Sequence, residues 1–114
     1  MKRFIVLYKS DQSVDAMMNV PPEQAQAGMD AWMAWAGKAG TAIVDMGAPL
    51  GNKQTVTKTA ARDSSGLEIT GYSIMQSESM DALKALLAGH PHFMSPGNSS
   101  IEVFECLPMP GMPG

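Results

Sequence analysis

Two histidines, His90 and His92, stand on either side of Pro91. Imidazole has an ordinary pKa near neutrality, so either ring can serve as a general acid or base. His90 follows a helical stretch, where a positive ring would meet the last carbonyls and complement the negative helix end. His92 lies in an irregular segment, the kind that often carries binding groups. Asp45 interrupts the apolar run Ile43-Val44-Asp45-Met46. Buried there, it needs a partner or a raised pKa and can orient a histidine; at a strand end facing water it needs neither. Two histidines at i and i+2 with Asp45 or Glu102 could ligate a divalent ion, but the spacing matches no standard signature, and no metal is expected. Asp30 and Glu102 otherwise read as surface charges.

Trp32, Trp35, Met29, Met33, Phe93 and Met94 form an adaptable apolar set. Methionine and tryptophan at helical spacing read first as core and second as pocket. Trp35 falls off the main stripe and reads as a cleft or dimer contact. Trp32, Tyr72 and Phe93 are the candidates to shape a ligand pocket. Cys106, the single cysteine, has no basic cluster beside it and reads as a buried, inert thiol. The Gly47-Ala48-Pro49-Leu50-Gly51 turn lacks the pattern of a phosphate cradle. A Ser-His-Asp signature, a dinucleotide fingerprint and an internal repeat are all missing from the sequence, so no organic cofactor is expected.

These residues must be positioned by regular elements. Phe4 to Tyr8 is a compact apolar run and reads as a first strand, with an aperiodic loop over 10–20. Pro21 and Pro22 open a helix over 23–38, whose face is Ala25, Met29, Trp32, Met33 and Ala36. Strands follow at 42–46 and 54–59, then a turn over 60–66. A further strand covers 67–76, where Gly71 marks a bulge or a close approach. Ser79 caps a helix to about Ala88, with Met80, Leu83, Leu86 and Leu87 on its face. Gly89-His90-Pro91 ends it. Pro96-Gly97-Asn98 turns into a last strand, 100–107. The predicted order is β-α-β-β-β-α-β: an α+β, ferredoxin-like sandwich with one antiparallel sheet and two helices on one face. Residues 1–107 form one domain, and 108–114 is a Pro/Gly/Met tail that is disordered or docked.

The first strand is apolar on both sides, Phe4, Val6 and Tyr8 against Ile5 and Leu7, and the last strand largely so. Helices cover one face, so the other predicts a homodimer packed sheet against sheet.

The chain has 114 residues and a formal charge of −3, with 45% hydrophobic and 17% charged residues. That fits one globular domain and argues against a broad phosphate-binding surface, hence against nucleic acid as a partner. One cysteine excludes an intramolecular disulfide and fits a reducing, cytoplasmic setting. No apolar run approaches the roughly 20 residues of a membrane span. The basic-then-apolar start reads as a strand, not a signal peptide.

The ordered motifs resemble the YCII-related family, also described by its DGPF motif. They are the apolar first strand, the Trp-rich helix ending near Lys38-Ala39-Gly40, Gly47-Ala48-Pro49-Leu50, Glu68-Ile69-Thr70-Gly71-Tyr72-Ser73-Ile74, Ser79-Met80-Asp81-Ala82-Leu83, Gly89-His90-Pro91-His92-Phe93 and Ser100-Ile101-Glu102-Val103. They run from Lys2 to about Leu107. The resemblance implies a ferredoxin-like fold that pairs into a dimeric α/β barrel. Some members resemble small enzymes with a His and Asp pair in a pocket, such as one that dehydrochlorinates an aromatic ring. Their histidine sits on the first helix, in a His-Leu-Ala-type stretch. Here Met29-Asp30-Ala31-Trp32-Met33-Ala34-Trp35 has none, and Asp63-Ser64-Ser65-Gly66-Leu67 stands where Asp-Gly-Pro-Phe would be. The fold carries over; the dyad does not.

Two functions follow as expectations. The first is an enzyme-like pocket for a small organic molecule, aromatic among the candidates. His92 or His90 is its proton carrier, Asp45 its orienting carboxylate, and Trp32, Tyr72 and Phe93 its walls. The second is a non-catalytic ligand-binding or accessory protein using the same cleft. The two part on whether His92 and Asp45 meet within hydrogen-bond reach.

Overall fold

The computed structural model describes residues 1–11, 19–56, 61–62, 68–94, 98–108 and 110. Most of the loop read over 10–20, residues 57–59 of the third predicted strand, most of the turn read over 60–66, residues 96–97 of the turn at 96–98 and most of the 108–114 tail lie outside them.

Alternating apolar residues make β1 (Lys2–Ser10) a strand with two different faces. Phe4, Val6, Tyr8 and Ser10 are buried, while Ile5, Leu7 and Lys9 on the other side are only half-buried. α1 (Pro22–Ala39) begins at the proline pair, and a 3-10 turn (Gly40–Ala42) leads into β2 (Ile43–Asp45). β3 (Thr55–Val56) and β4 (Ala61–Arg62) form a separate two-stranded ribbon. β5 (Glu68–Ser77), α2 (Met80–Leu87), a 3-10 turn (Pro91–Met94) and β6 (Ser99–Glu105) complete the order. Ser79 caps α2 as its sequence predicts, its Oγ accepting from the Ala82 N–H at 3.1 Å.

The main sheet has the order β2-β5-β1-β6 and is antiparallel throughout. Four antiparallel strands with two helices fit a ferredoxin-like α+β fold. The expected single sheet of five strands is corrected. Among the described residues, the third predicted strand pairs with Ala61–Arg62, from the stretch read as a turn, and not with the main sheet. With only two residues it builds a local ribbon, and Val56 is largely exposed.

Phe4, Val6, Tyr8 and Met75 from the sheet pack with Trp35 of α1 and Leu83 and Leu87 of α2, so both helices cover one face. The predicted α1 stripe is corrected here. Met29 and Met33 are 58% and 59% exposed, whereas Trp35 is 6% exposed. The buried side runs through Trp32, Trp35, Ala36 and Ala39, also at helical spacing. Trp35 wins because its indole Nε1 donates to the Leu86 carbonyl at 3.3 Å, joining the helices. Residues 21–30 are all exposed and lie outside the core.

Across the open face, Ile5 lies between Ile74 of β5 and Phe104 of β6, and Leu7 between Tyr72 and Glu102. Phe104 is 53% exposed, and Val44 of β2 is exposed as well. Among the described residues nothing covers this apolar row. Cys106, expected buried, is exposed just past β6.

Gly71 fulfils both readings of its position. The β1–β5 register slips between Tyr8 and Lys9, opposite Gly71 and Ile69. The chain at Ala48–Leu50 also runs along this strand, with Tyr72 N–H donating to the Ala48 carbonyl at 3.3 Å and Leu50 N–H to the Thr70 carbonyl at 2.9 Å. Gly47 makes that approach feasible. Its φ is +77°, and a Cβ there would lie 1.7 Å from the Tyr72 carbonyl oxygen.

Candidate functional site

The ends of α2, α1 and β1 meet at the two histidines. Pro91 stops α2, and the His90 N–H closes the turn on the Leu87 carbonyl at 3.0 Å. The cap is therefore made by the backbone. The His90 side chain, read as a positive group at the helix end, is instead buried and turned into the core.

His90 Nδ1 accepts the backbone N–H of His92 at 2.9 Å. A ring that accepts at Nδ1 carries its proton on Nε2 when neutral. That Nε2–H is buried without a hydrogen-bond partner among the described residues. The ring lies against Trp35 at 4.2 Å between centroids, Trp32 at 4.5 Å and Tyr8 at 4.8 Å. Burial above all, with the positive charge His92 can acquire, lowers the His90 pKa to about 4. At physiological pH the His90 ring is thus neutral, with its Nε2–H as a donor.

His92 is also buried, and its Nε2–H donates to the Lys9 carbonyl at 2.8 Å. At the register slip, where Thr70 is the extra residue on β5, two successive β1 carbonyls accept from side chains: Lys9 from His92, and Tyr8 from Thr70 Oγ1 at 3.3 Å. A ring held through Nε2–H keeps its lone pair on Nδ1, where it can accept a proton.

Tyr8 completes the corner. Ser73 Oγ gives its one proton to the Met46 carbonyl at 2.8 Å, so the Tyr8 hydroxyl donates to Ser73 at 2.9 Å. Burial raises the Tyr8 pKa, partly offset by Ser73. The phenol is a fixed donor in a chain linking β1 and β5 to Met46.

The predicted set comes together only in part. Trp32 touches His90 and Tyr8. Phe93 stands beside His92 at 6.2 Å, half exposed, on a shallow hollow of about 200 Å³ with Leu87, Ile101 and Val103. Tyr72 lies on the open sheet face, paired with Leu7, away from the helix side. Asp45 is exposed at the end of β2, its Oδ1 accepting the Gly47 N–H at 2.8 Å. It hydrogen-bonds neither histidine. No cluster of three or more metal-ligating side chains occurs among the described residues.

Trp35, read as a cleft or dimer contact, lines the groove between the helices; Tyr8 and Ser73 are site residues the sequence reading does not name. Tyr8 shares the parity of Phe4 and Val6, a signal visible in the sequence. Ser73 and Trp35 join only through strand register and helix rotation.

Between the helices runs an open groove of about 370 Å³, walled by Ala31, Ala34 and Leu86 and bordered by Trp35, Gly89 and Pro91. Both chain neighbours of His90 and one of its ring partners thus line open space. Lys38 stands at the same groove with no ion-pair partner among the described residues.

No protein-family model matches the chain, and no curated protein matches it. No helix among the described residues is long and apolar enough to cross a membrane.

Proposed function

We propose that the chain is a cytoplasmic homodimer of the YCII-related type that binds a small organic molecule in the groove between α1 and α2, with no cofactor. One observation carries this reading: the groove is bordered by Trp35, which packs on the His90 ring, and by Gly89 and Pro91, its chain neighbours, while the buried His90 Nε2–H has no acceptor among the described residues. An unmet buried donor costs about 1–3 kcal/mol, which a ligand acceptor reaching it would recover. The groove wall is apolar and suits a ring or short hydrocarbon body. The unpaired Lys38 ammonium favours an acidic substituent at the rim.

Binding is preferred to catalysis because Asp45 lies exposed on a local backbone contact, leaving neither histidine a carboxylate partner among the described residues. A second reading survives on the tautomer of His92. Its Nε2–H is held by Lys9, so its Nδ1 carries the lone pair that would take a proton from a bound molecule. Replacing His92 by Ala removes turnover in that case and leaves it unchanged otherwise.

The dimer rests on the row Ile74–Ile5–Phe104 with Val44, Leu7 and Tyr72, an apolar face across all four strands. Pairing two such faces buries both and gives the α/β barrel the family resemblance implies. Small aromatic acids titrated into the protein test the binding site. Expected are shifts in the His90 and Trp35 resonances; none at millimolar ligand overturns it.

A further inference from the structure

We infer that the 90–94 corner is an acid-sensitive latch, in which a proton on His90 frees the 91–94 turn from β1 and α1 while the sheet stays folded. Two imidazole bonds of opposite sense pin this turn. His90 Nδ1 accepts from the His92 N–H at 2.9 Å, and His92 Nε2–H donates to the Lys9 carbonyl at 2.8 Å. Acid acts differently on the two. A proton added to His92 goes to Nδ1 and leaves its Nε2–H bond in place. A proton added to His90 occupies the very lone pair that holds the turn.

The corner also has no place for the resulting charge. The His90 ring is 1% exposed. From β1 it faces Tyr8, whose hydroxyl is already directed to Ser73. From α1 it faces Trp32 and Trp35, which carry no charge. From its own turn it faces His92, which becomes positive in acid and repels it. From α2 the Leu87 carbonyl is already occupied by the His90 N–H. No carboxylate faces the ring among the described residues. A buried, unpaired imidazolium is strongly disfavoured, so the corner opens and the ring titrates in water. The closed ring has a pKa of about 4 against an ordinary 6.5, so acid below 6.5 favours the open form progressively. Trp35 and Pro91 border the groove, so opening reshapes it.

The latch stands on the corner alone, and its test uses the full chain without ligand, so its failure is separate from failure of the binding proposal. Both tryptophans of the chain touch His90, which makes indole emission a local probe. On acidification from pH 7.5 to 4, emission should fall and shift to the red while far-UV circular dichroism holds. His90→Asn, whose amide oxygen can still accept the His92 N–H, should lose the step. His92→Ala should move it to higher pH by removing the repelling charge. Should His90→Asn not fold, the imidazole Cε1–H resonances of the unmodified chain replace it: the His90 signal must titrate with the emission step. Coincident loss of emission and far-UV signal, a step that persists in His90→Asn, or a His90 signal titrating apart from the emission step would each overturn the latch.

Discussion

Burial holds His90 neutral, and the sign of its effect on stability follows. Its folded pKa, about 4, lies below the ordinary 6.5, so the unfolded chain takes up the proton first. The contribution is full above pH 6.5 and is lost as the pH falls from 6.5 to 4. The shift is worth up to about 3 kcal/mol. Urea midpoints at pH 7 and 4.5 check it: the lower pH should give the lower midpoint, and His90→Asn should narrow the gap. The two histidines were legible as the chemistry-bearing pair because few other side chains titrate near neutrality. Their protonation was not legible, because it depends on Tyr8, Trp32 and Trp35, residues distant in sequence. Asp45 leaves two readings open in the sequence, buried partner or exposed strand end, for a related reason. A carboxylate within an apolar run looks the same at an edge strand's end as inside a sheet, and only the pairing of β2 with β5 separates the two. Gly47 gives a second residue-scale expectation. Gly47→Ala places a methyl onto the Tyr72 carbonyl at a positive φ, and should lower stability by at least about 2 kcal/mol in chemical denaturation.

Helix α1 shows how a correct element can present a misread face. Its limits were legible from the proline pair and the glycine-rich exit. Its rotation was not, because Ala, Met and Trp recur at threes and fours on more than one side. The Nε1–H bond to Leu86 chooses Trp35. Trp35→Ala should therefore cost about 3–5 kcal/mol, while Met33→Ala, two positions earlier, should stay within about 0.5 kcal/mol. Thermal unfolding of the two variants side by side checks the ordering. In the sheet, the alternation in β1 and the glycine in β5 were readable because each is a local rule. β3 falls within the strand read over 54–59, but its partner β4 was not readable, since a run of two residues gives no usable period.

At the scale of the whole molecule, the apolar back of the sheet was legible from β1 alone, where both parities are hydrophobic. The register adds Ile74 and Phe104 on either side of Ile5. Light scattering at micromolar concentration should return twice the 12.1 kDa of one chain. Ile5→Glu should return the single mass with far-UV signal retained. A single mass for the unmodified chain removes the barrel from the account. The central claim, that the groove beside His90 is a binding site, has its most direct measurement in nuclear magnetic resonance. A set of small apolar acids is titrated into the full chain at neutral pH while the His90 imidazole and the Trp32 and Trp35 indole signals are followed. Saturable shifts are expected at these three residues, weakened in Lys38→Ala. Signals that stay fixed for every compound, or move equally across the protein, would contradict it.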